Sequence, residues 1–270
     1  MKKILAFVIL LCMAATMLAG CSGAGGEKLQ AIKDAGKIVV YTDPNFPPFE
    51  FLGEDGKPIG VDIEIAQAIA DEIGVALEIV EAEFDSILMA IKTGSGDIAI
   101  TGMTIRDDRK ESVDFSSPYI NSVQYFILPA DSDIAKMEDL AGKRVGVAMG
   151  YTGNWLMLDE TEEDDGVLLD AGVEIFEYNS AMEATLDMQN GRIDVVVMDK
   201  FVAQTIAGKN DNLKAVEIKY ADGGIASEEY GVVVPKENKS LLDIINKVVK
   251  RLSDENKIEE WVVYYSGAAS

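Results

Sequence analysis

From Lys37 onward, short apolar runs alternate with amphipathic stretches, and no other feature restricts the folding of this sequence as strongly. Residues 38–41 (Ile-Val-Val-Tyr) read as a buried strand. Residues 62–73 read as a helix with Ile65, Ile69 and Ile73 on one face, Asp62 as its N-cap and Gly74 as its stop. A strand at 77–80, a helix at 85–92 ending at Gly94, and a strand at 98–101 continue the series. Repetition of this kind predicts an α/β layer sandwich around a mainly parallel sheet. The length of 270 residues leaves room for two such units.

The second half echoes the first. Gly94 and Asp97 lead into the strand at 98–101, as Gly191 and Asp194 lead into one at 195–198. Each set reads as a helix, a glycine, two residues, an aspartate and a buried strand, which points to two lobes. The second half also has its own first strand, 144–147, and Ser180 with Glu183 fits a capping box at a helix start. A polar, proline-marked break at 118–122 precedes a strand at 123–128, and an irregular stretch from Asp222 precedes one at 231–234. If both cross between lobes, the first lobe is completed by the C-terminal segment, with amphipathic helices at 240–252 and 257–265. The expected division is 36–120 with 229–267 for one lobe and 121–228 for the other. Two crossing strands make a hinge, and a hinge between lobes leaves a cleft.

Composition removes whole classes of function. With 47 acidic residues against 24 basic, a net charge of −23 argues against nucleic-acid binding. The absence of histidine excludes Ser-His-Asp and Cys-His nucleophiles and the usual imidazole metal sites. No cofactor or metal site is expected. The charge is compatible with attracting a cationic ligand, and equally with a self-repelling, soluble surface.

Both cysteines, Cys12 and Cys21, lie in the opening segment. Lys2 and Lys3 precede an uncharged run at 4–19, short for a membrane span and matching the apolar region of a secretory signal. The run ends in Leu18-Ala19-Gly20-Cys21, which resembles the lipobox of bacterial lipoproteins. That resemblance implies a signal peptide over 1–20, lipidation of Cys21, and an anchored, extracytoplasmic protein in the periplasm or at the cell surface. An ordinary signal peptide with a chance cysteine is the alternative. Residues 21–35, with Ser-Gly-Ala-Gly-Gly at 22–26, are expected to tether lipid to fold.

Five segments then carry a family resemblance. They are Thr42 to Glu50 (Thr-Asp-Pro-Asn-Phe-Pro-Pro-Phe-Glu), Gly60-Val61-Asp62-Ile63-Glu64, Gly102-Met103-Thr104-Ile105 with Arg109, Asp114-Phe115-Ser116-Ser117-Pro118-Tyr119, and Gly150-Tyr151-Thr152-Gly153. Their order and spacing resemble bacterial extracellular solute-binding proteins of the polar amino-acid family, over essentially the whole chain after Lys37. The resemblance implies a two-lobed, periplasmic-binding-protein-like (type II) α/β fold with a two-strand hinge. It also implies an amino-acid ligand clamped between the lobes and delivery to an ABC permease and ATPase complex; a monomer is expected.

The resemblance gives roles to particular residues. Arg109, which otherwise reads as a solvated surface pair among Asp107, Asp108 and Glu111, becomes a fork for the ligand α-carboxylate. The backbone N–H of Thr104 would join it, and the Gly102 carbonyl would accept from the α-ammonium. Thr152 and Gly153 begin a helix whose N–H groups favour the same carboxylate, although an ordinary glycine-rich turn is the bland reading. Asp199 becomes the ammonium partner from the opposite lobe, or else simply the N-cap of the next helix.

Phe46 and Phe84 become aromatic walls around the ligand side chain, with core packing the alternative for Phe84. Phe49 and Phe51 read as core. Asp43 would face the distal end of the side chain, with small or apolar Ala148, Met149 and Met198 nearby. A carboxylate with aromatic walls and no cation suits a basic or neutral polar ligand and rejects glutamate and aspartate. Two other classes stay open: an enzyme on the same fold, such as the cyclohexadienyl dehydratases, and a ligand-sensing module.

Overall fold

The two aspartates of the internal echo perform one task. Asp97 Oδ2 accepts from Val39 N and Asp194 Oδ2 from Arg144 N, both at 2.8 Å, so each fastens the first strand of its own lobe. The preceding glycines, Gly94 and Gly191, have φ of 81° and 71°, the left-handed region where glycine has no steric penalty. The computed structural model in which this is seen describes residues 27–268. The leader, Cys21 and the glycine-rich stretch at 22–26 lie outside the described residues.

Lobe 1 opens with helix α1 (Glu27–Ala35) and strand β1 (Lys37–Thr42). Residues 27–35, expected to belong to the tether, are thus helical: Ile32 is buried, and Lys28 pairs with Asp97 at 2.6 Å. A small antiparallel sheet follows, β2 (Asn45–Phe46), β3 (Glu50–Leu52) and β4 (Pro58–Ile59). Helix α2 (Val61–Ile73) buries Val61, Ile65, Ile69 and Ile73, each worth roughly 1.5–3 kcal/mol of burial. It stops at Gly74, φ 83°, as expected. Its cap is Gly60 rather than Asp62, whose side chain turns inward to accept from Gly102 N and Tyr119 Oη. Then come β5 (Ala76–Glu81), α3 (Phe84–Lys92), β6 (Ile98–Ala99), the single turn α4 (Asp107–Lys110) and β7 (Val113–Phe115).

The crossing strand β8 (Ile120–Pro129) begins inside the stretch expected to be a break. Lobe 2 continues with β9 (Arg144–Ala148), α5 (Thr152–Glu162), β10 (Glu174–Tyr178), α6 (Ala181–Gln189), β11 (Val195–Asp199), α7 (Lys200–Gly208) and β12 (Leu213–Glu217). Ser180 caps α6 by accepting from Glu183 N, whereas the Glu183 carboxylate reaches back to Asn179 N, so only half of the expected box forms. The chain returns through β13 (Ser227–Tyr230), a strand absent from the sequence reading, and β14 (Val233–Pro235). Helices α8 (Lys239–Asp254) and α9 (Lys257–Ala268) complete it, with α8 burying Leu241, Ile245, Val248 and Leu252.

The two main sheets share a plan. Their orders are β5-β1-β6-β14-β7 and β10-β9-β11-β8-β12, with the first three strands of each parallel. The fourth position is antiparallel in both and is filled by a strand arriving from the hinge, β14 in one lobe and β8 in the other. Both sheets are therefore mixed, with the parallel part confined to one side. The hinge itself pairs β8 with β13 antiparallel, Ile120 opposite Tyr230 and Val123 opposite Ser227.

Candidate functional site

The cleft residues come from strand ends and the turns that follow them, where side chains leave the sheets and face the opposite lobe. Asp43 follows β1, Gly102 and Thr104 follow β6, Gly150 and Tyr151 follow β9, and Asp199 ends β11. Phe46 lies on β2 and Phe84 opens α3. All the expected site residues with polar or aromatic side chains except Thr152 are buried, Arg109 included.

Arg109 is no surface pair. Its Nη1 donates to Thr104 O and its Nη2 to Gly150 O, each at 2.9 Å, while Arg106 takes the pairing with Asp108. The guanidinium also lies 5.5 Å from the centroid of Phe84. Burial lowers its pKa to about 10, with the nearby charge of Arg106 adding to the effect, and it stays protonated at neutral pH. A buried guanidinium bonded only to carbonyls is suited to receive an anion from the cleft.

Asp199 accepts from Tyr230 Oη at 2.7 Å and from Gln124 Nε2. It stands at the N-cap position of α7, yet its side chain makes no cap bond, so the capping alternative fails. Gln124 Nε2 also donates to Glu228 Oε1 at 2.9 Å, joining two buried carboxyl groups. Burial, then the charge of Asp199, pushes the Glu228 carboxyl well above the usual range. Thr104 Oγ1 donates to Glu228 Oε2 at 2.8 Å and meets Thr152 Oγ1 at 2.7 Å, tying β6, α5 and the hinge together. A cavity of ≈ 650 Å³ adjoins these groups, lined by Thr104, Ser122, Gln124, Thr152 and Glu228 among others.

The aromatic end is equally defined. Asp43 accepts from Asn45 Nδ2 at 2.6 Å and from Tyr151 Oη at 2.9 Å. Burial raises its pKa against both bonds, while Tyr151, buried beside that carboxylate, is held well above its ordinary pKa and keeps its proton. The Tyr151 ring stacks on Phe84 with centroids 4.0 Å apart and leans on Phe46 at 5.6 Å. Phe49 is buried, as expected of core, but it meets Phe201 of lobe 2 edge-on at 5.5 Å. Gly102 has φ 53°, and a Cβ there would fall 2.2 Å from the Phe46 ring, which explains glycine at that position.

Gln124, Glu228, Tyr230 and Tyr151 were not expected at the site as side chains. Gln124 had a signal: in β8 it follows Ser122 and precedes Phe126 on the buried face, a polar residue where alternation demands an apolar one. Glu228 and Tyr230 alternate inward along β13 in the same way. Glu50, behind the site, accepts from Thr101 Oγ1 at 2.9 Å, and burial raises its carboxyl group and that of Asp62.

Two lobes joined by a two-strand hinge, with polar groups converging from both on one cleft, define a binding protein of the type II periplasmic architecture. An amino acid ABC transporter substrate-binding protein from Streptococcus pneumoniae Canada MDR_19A, solved bound to L-arginine, superposes with a TM-score of 0.79 at 32% identity, over 89% of this chain and 98% of that one. The arginine-binding periplasmic protein of Mannheimia haemolytica is 30% identical over 222 residues, 82% of this chain and 88% of its own. The L-cystine-binding protein TcyJ of Escherichia coli (strain K12) is 29% identical over 262 residues, 95% and 93% of the two chains. Residues 38–268 match the bacterial extracellular solute-binding proteins, family 3, and the chain belongs to that family. It is a family of binding proteins, which removes the dehydratase reading.

Proposed function

We propose that this protein binds a basic L-amino acid between its lobes and delivers it to an ABC permease. The observation that carries the reading is the pair Arg109 and Asp199, a buried guanidinium and a buried carboxylate held from opposite lobes. Arg109, with the Thr104, Thr152 and Gly153 backbone, receives the α-carboxylate; Asp199 and the Gly102 carbonyl receive the α-ammonium. A zwitterion spanning the two stabilises closure, and that differential affinity is the mechanism, with no bond made or broken.

Asp43, between Phe46 and Phe84, receives the distal cation. Arginine-binding relatives support this class, because a carboxylate at the end of an aromatic slot matches a guanidinium or an ammonium and repels an acid. Lobe 1 comprises 27–120 with 229–268 and lobe 2 comprises 121–228, so that the hinge lies at β8 and β13. Cys21 carries the lipid that keeps the protein, as a monomer, beside its permease at the outer face of the membrane.

A thermal-shift panel of the common L-amino acids, with D-arginine as control, tests the reading. Only a ligand that binds the folded state raises its midpoint by mass action. Arginine, lysine or histidine raises it and glutamate does not; a panel with no response overturns the proposal.

A further inference from the structure

Tyr151 belongs to lobe 2, at the turn between β9 and α5, yet its side chain lies in lobe 1. Its ring stacks on Phe84 at 4.0 Å and 25°, a spacing that admits no third group between the two rings. Its hydroxyl takes Asp43 Oδ2, and Asn45 takes Oδ1, so both oxygens of that carboxylate are engaged. One residue earlier, Gly150 O takes Arg109 Nη2. The turn at 150–151 therefore places a carbonyl at the proposed seat of the ligand carboxylate, and a phenol at that of the ligand side chain.

We propose that the Gly150-Tyr151 turn is an internal competitor for the cleft: it occupies the groups an amino acid needs and must withdraw before one binds. The proposal rests on the binding reading for the ligand's identity, but the latch between the lobes stands on the contacts alone. Its signature follows from where the contact resides. An interaction made only in the unliganded protein lowers the affinity of every ligand that needs the slot by one common factor and leaves their ranking unchanged. A residue forming part of the ligand's own cage does the opposite: its removal weakens binding and reorders the ligands.

The latch also joins lobe to lobe. Tyr151 to Asp43 and Gly150 to Arg109 both cross the cleft, so the unliganded protein is held compact, and release of the turn lets the lobes separate.

The test compares wild type, Tyr151→Phe and Tyr151→Ala by X-ray scattering without added amino acid, and by calorimetry with L-arginine and L-lysine. Tyr151→Ala gives a larger radius of gyration than wild type and binds both ligands tighter by one shared factor, on the order of tenfold. Tyr151→Phe, which keeps the ring and loses the bond to Asp43, lies between them and covers the case of an alanine variant that does not fold. Equal radii for the folded variants overturn the latch, and weaker binding or a changed arginine-to-lysine ratio overturns the competitor. If neither ligand binds any of the three proteins, the radii still decide the latch, and the failure falls on the basic amino-acid reading.

Discussion

Arg109 and Gly150 meet across the cleft: the guanidinium Nη2 donates to the Gly150 carbonyl at 2.9 Å while Nη1 stays on Thr104 of its own lobe. One prong of the fork is thus fixed in lobe 1 and the other is offered to whatever lobe 2 presents. The planar fork cannot be replaced by a point charge. Arg109→Lys is expected to weaken amino-acid binding on the order of a hundredfold, about 3 kcal/mol, and Arg109→Ala to abolish it. Calorimetry checks both; unchanged affinity shows that Arg109 does not hold the carboxylate.

Asp43 sets ligand charge. Asp43→Asn keeps the shape of the slot and the bond from Tyr151, but removes the partner of a distal cation. Affinity for a basic amino acid is expected to fall by roughly 2 kcal/mol or more, while glutamine gains relative to arginine. An arginine-to-glutamine preference that survives the substitution places the specificity elsewhere.

Glu50 and Asp62 give lobe 1 a pH dependence. Burial raises the Asp62 pKa from 3.8 to about 6, and burial together with the charge of Asp62 pushes Glu50 well above 4.5. Between pH 3.8 and about 6 the unfolded chain has released protons that the native state keeps. Native stability accordingly falls as pH rises through that window, by about 3 kcal/mol for Asp62, and the loss from Glu50 extends to higher pH. Glu50→Gln, which removes one of the two titrating groups, is expected to flatten the profile. Denaturant titrations from pH 4 to 8 decide it, and an unchanged slope contradicts the raised titration of Glu50.

The anchor is tested separately. Cys21→Ser is expected to move the protein from the membrane fraction to the soluble fraction of cells producing it. Retention in the membrane contradicts lipidation of Cys21.

What was legible in the sequence was whatever is encoded locally. The apolar periodicity of 62–73, the glycine stop at Gly74 and the paired Gly-x-x-Asp turns announced elements that the structure contains, because each rests on contacts a few residues apart or on one repeated turn. Asp62 misled, since a carboxylate at a helix start reads as a cap unless one knows that Gly102 and Tyr119 will offer it donors from 40 and 57 residues away. The helix at 27–35 was missed because its stability comes from seating Ile32 against the lobe and pairing Lys28 with Asp97.

The site divides the same way. Arg109, Asp43, Phe46 and Phe84 were reached through motif order, and the structure gathers them about one cleft. Tyr151 reads in the sequence only as part of a turn, because nothing local indicates that its side chain crosses to the other lobe. Gln124, Glu228 and Tyr230 carried the weaker signal of polar side chains alternating inward along the hinge strands.

The central claim is that the cleft holds a basic amino acid by both ends. Titration of L-arginine, and of L-glutamate for comparison, into the purified protein followed by calorimetry addresses it most directly. A one-to-one complex with arginine at micromolar affinity or tighter, about −8 kcal/mol, is expected, with no heat from glutamate. Binding of glutamate in preference to arginine, or no heat from any basic amino acid at millimolar concentration, contradicts it.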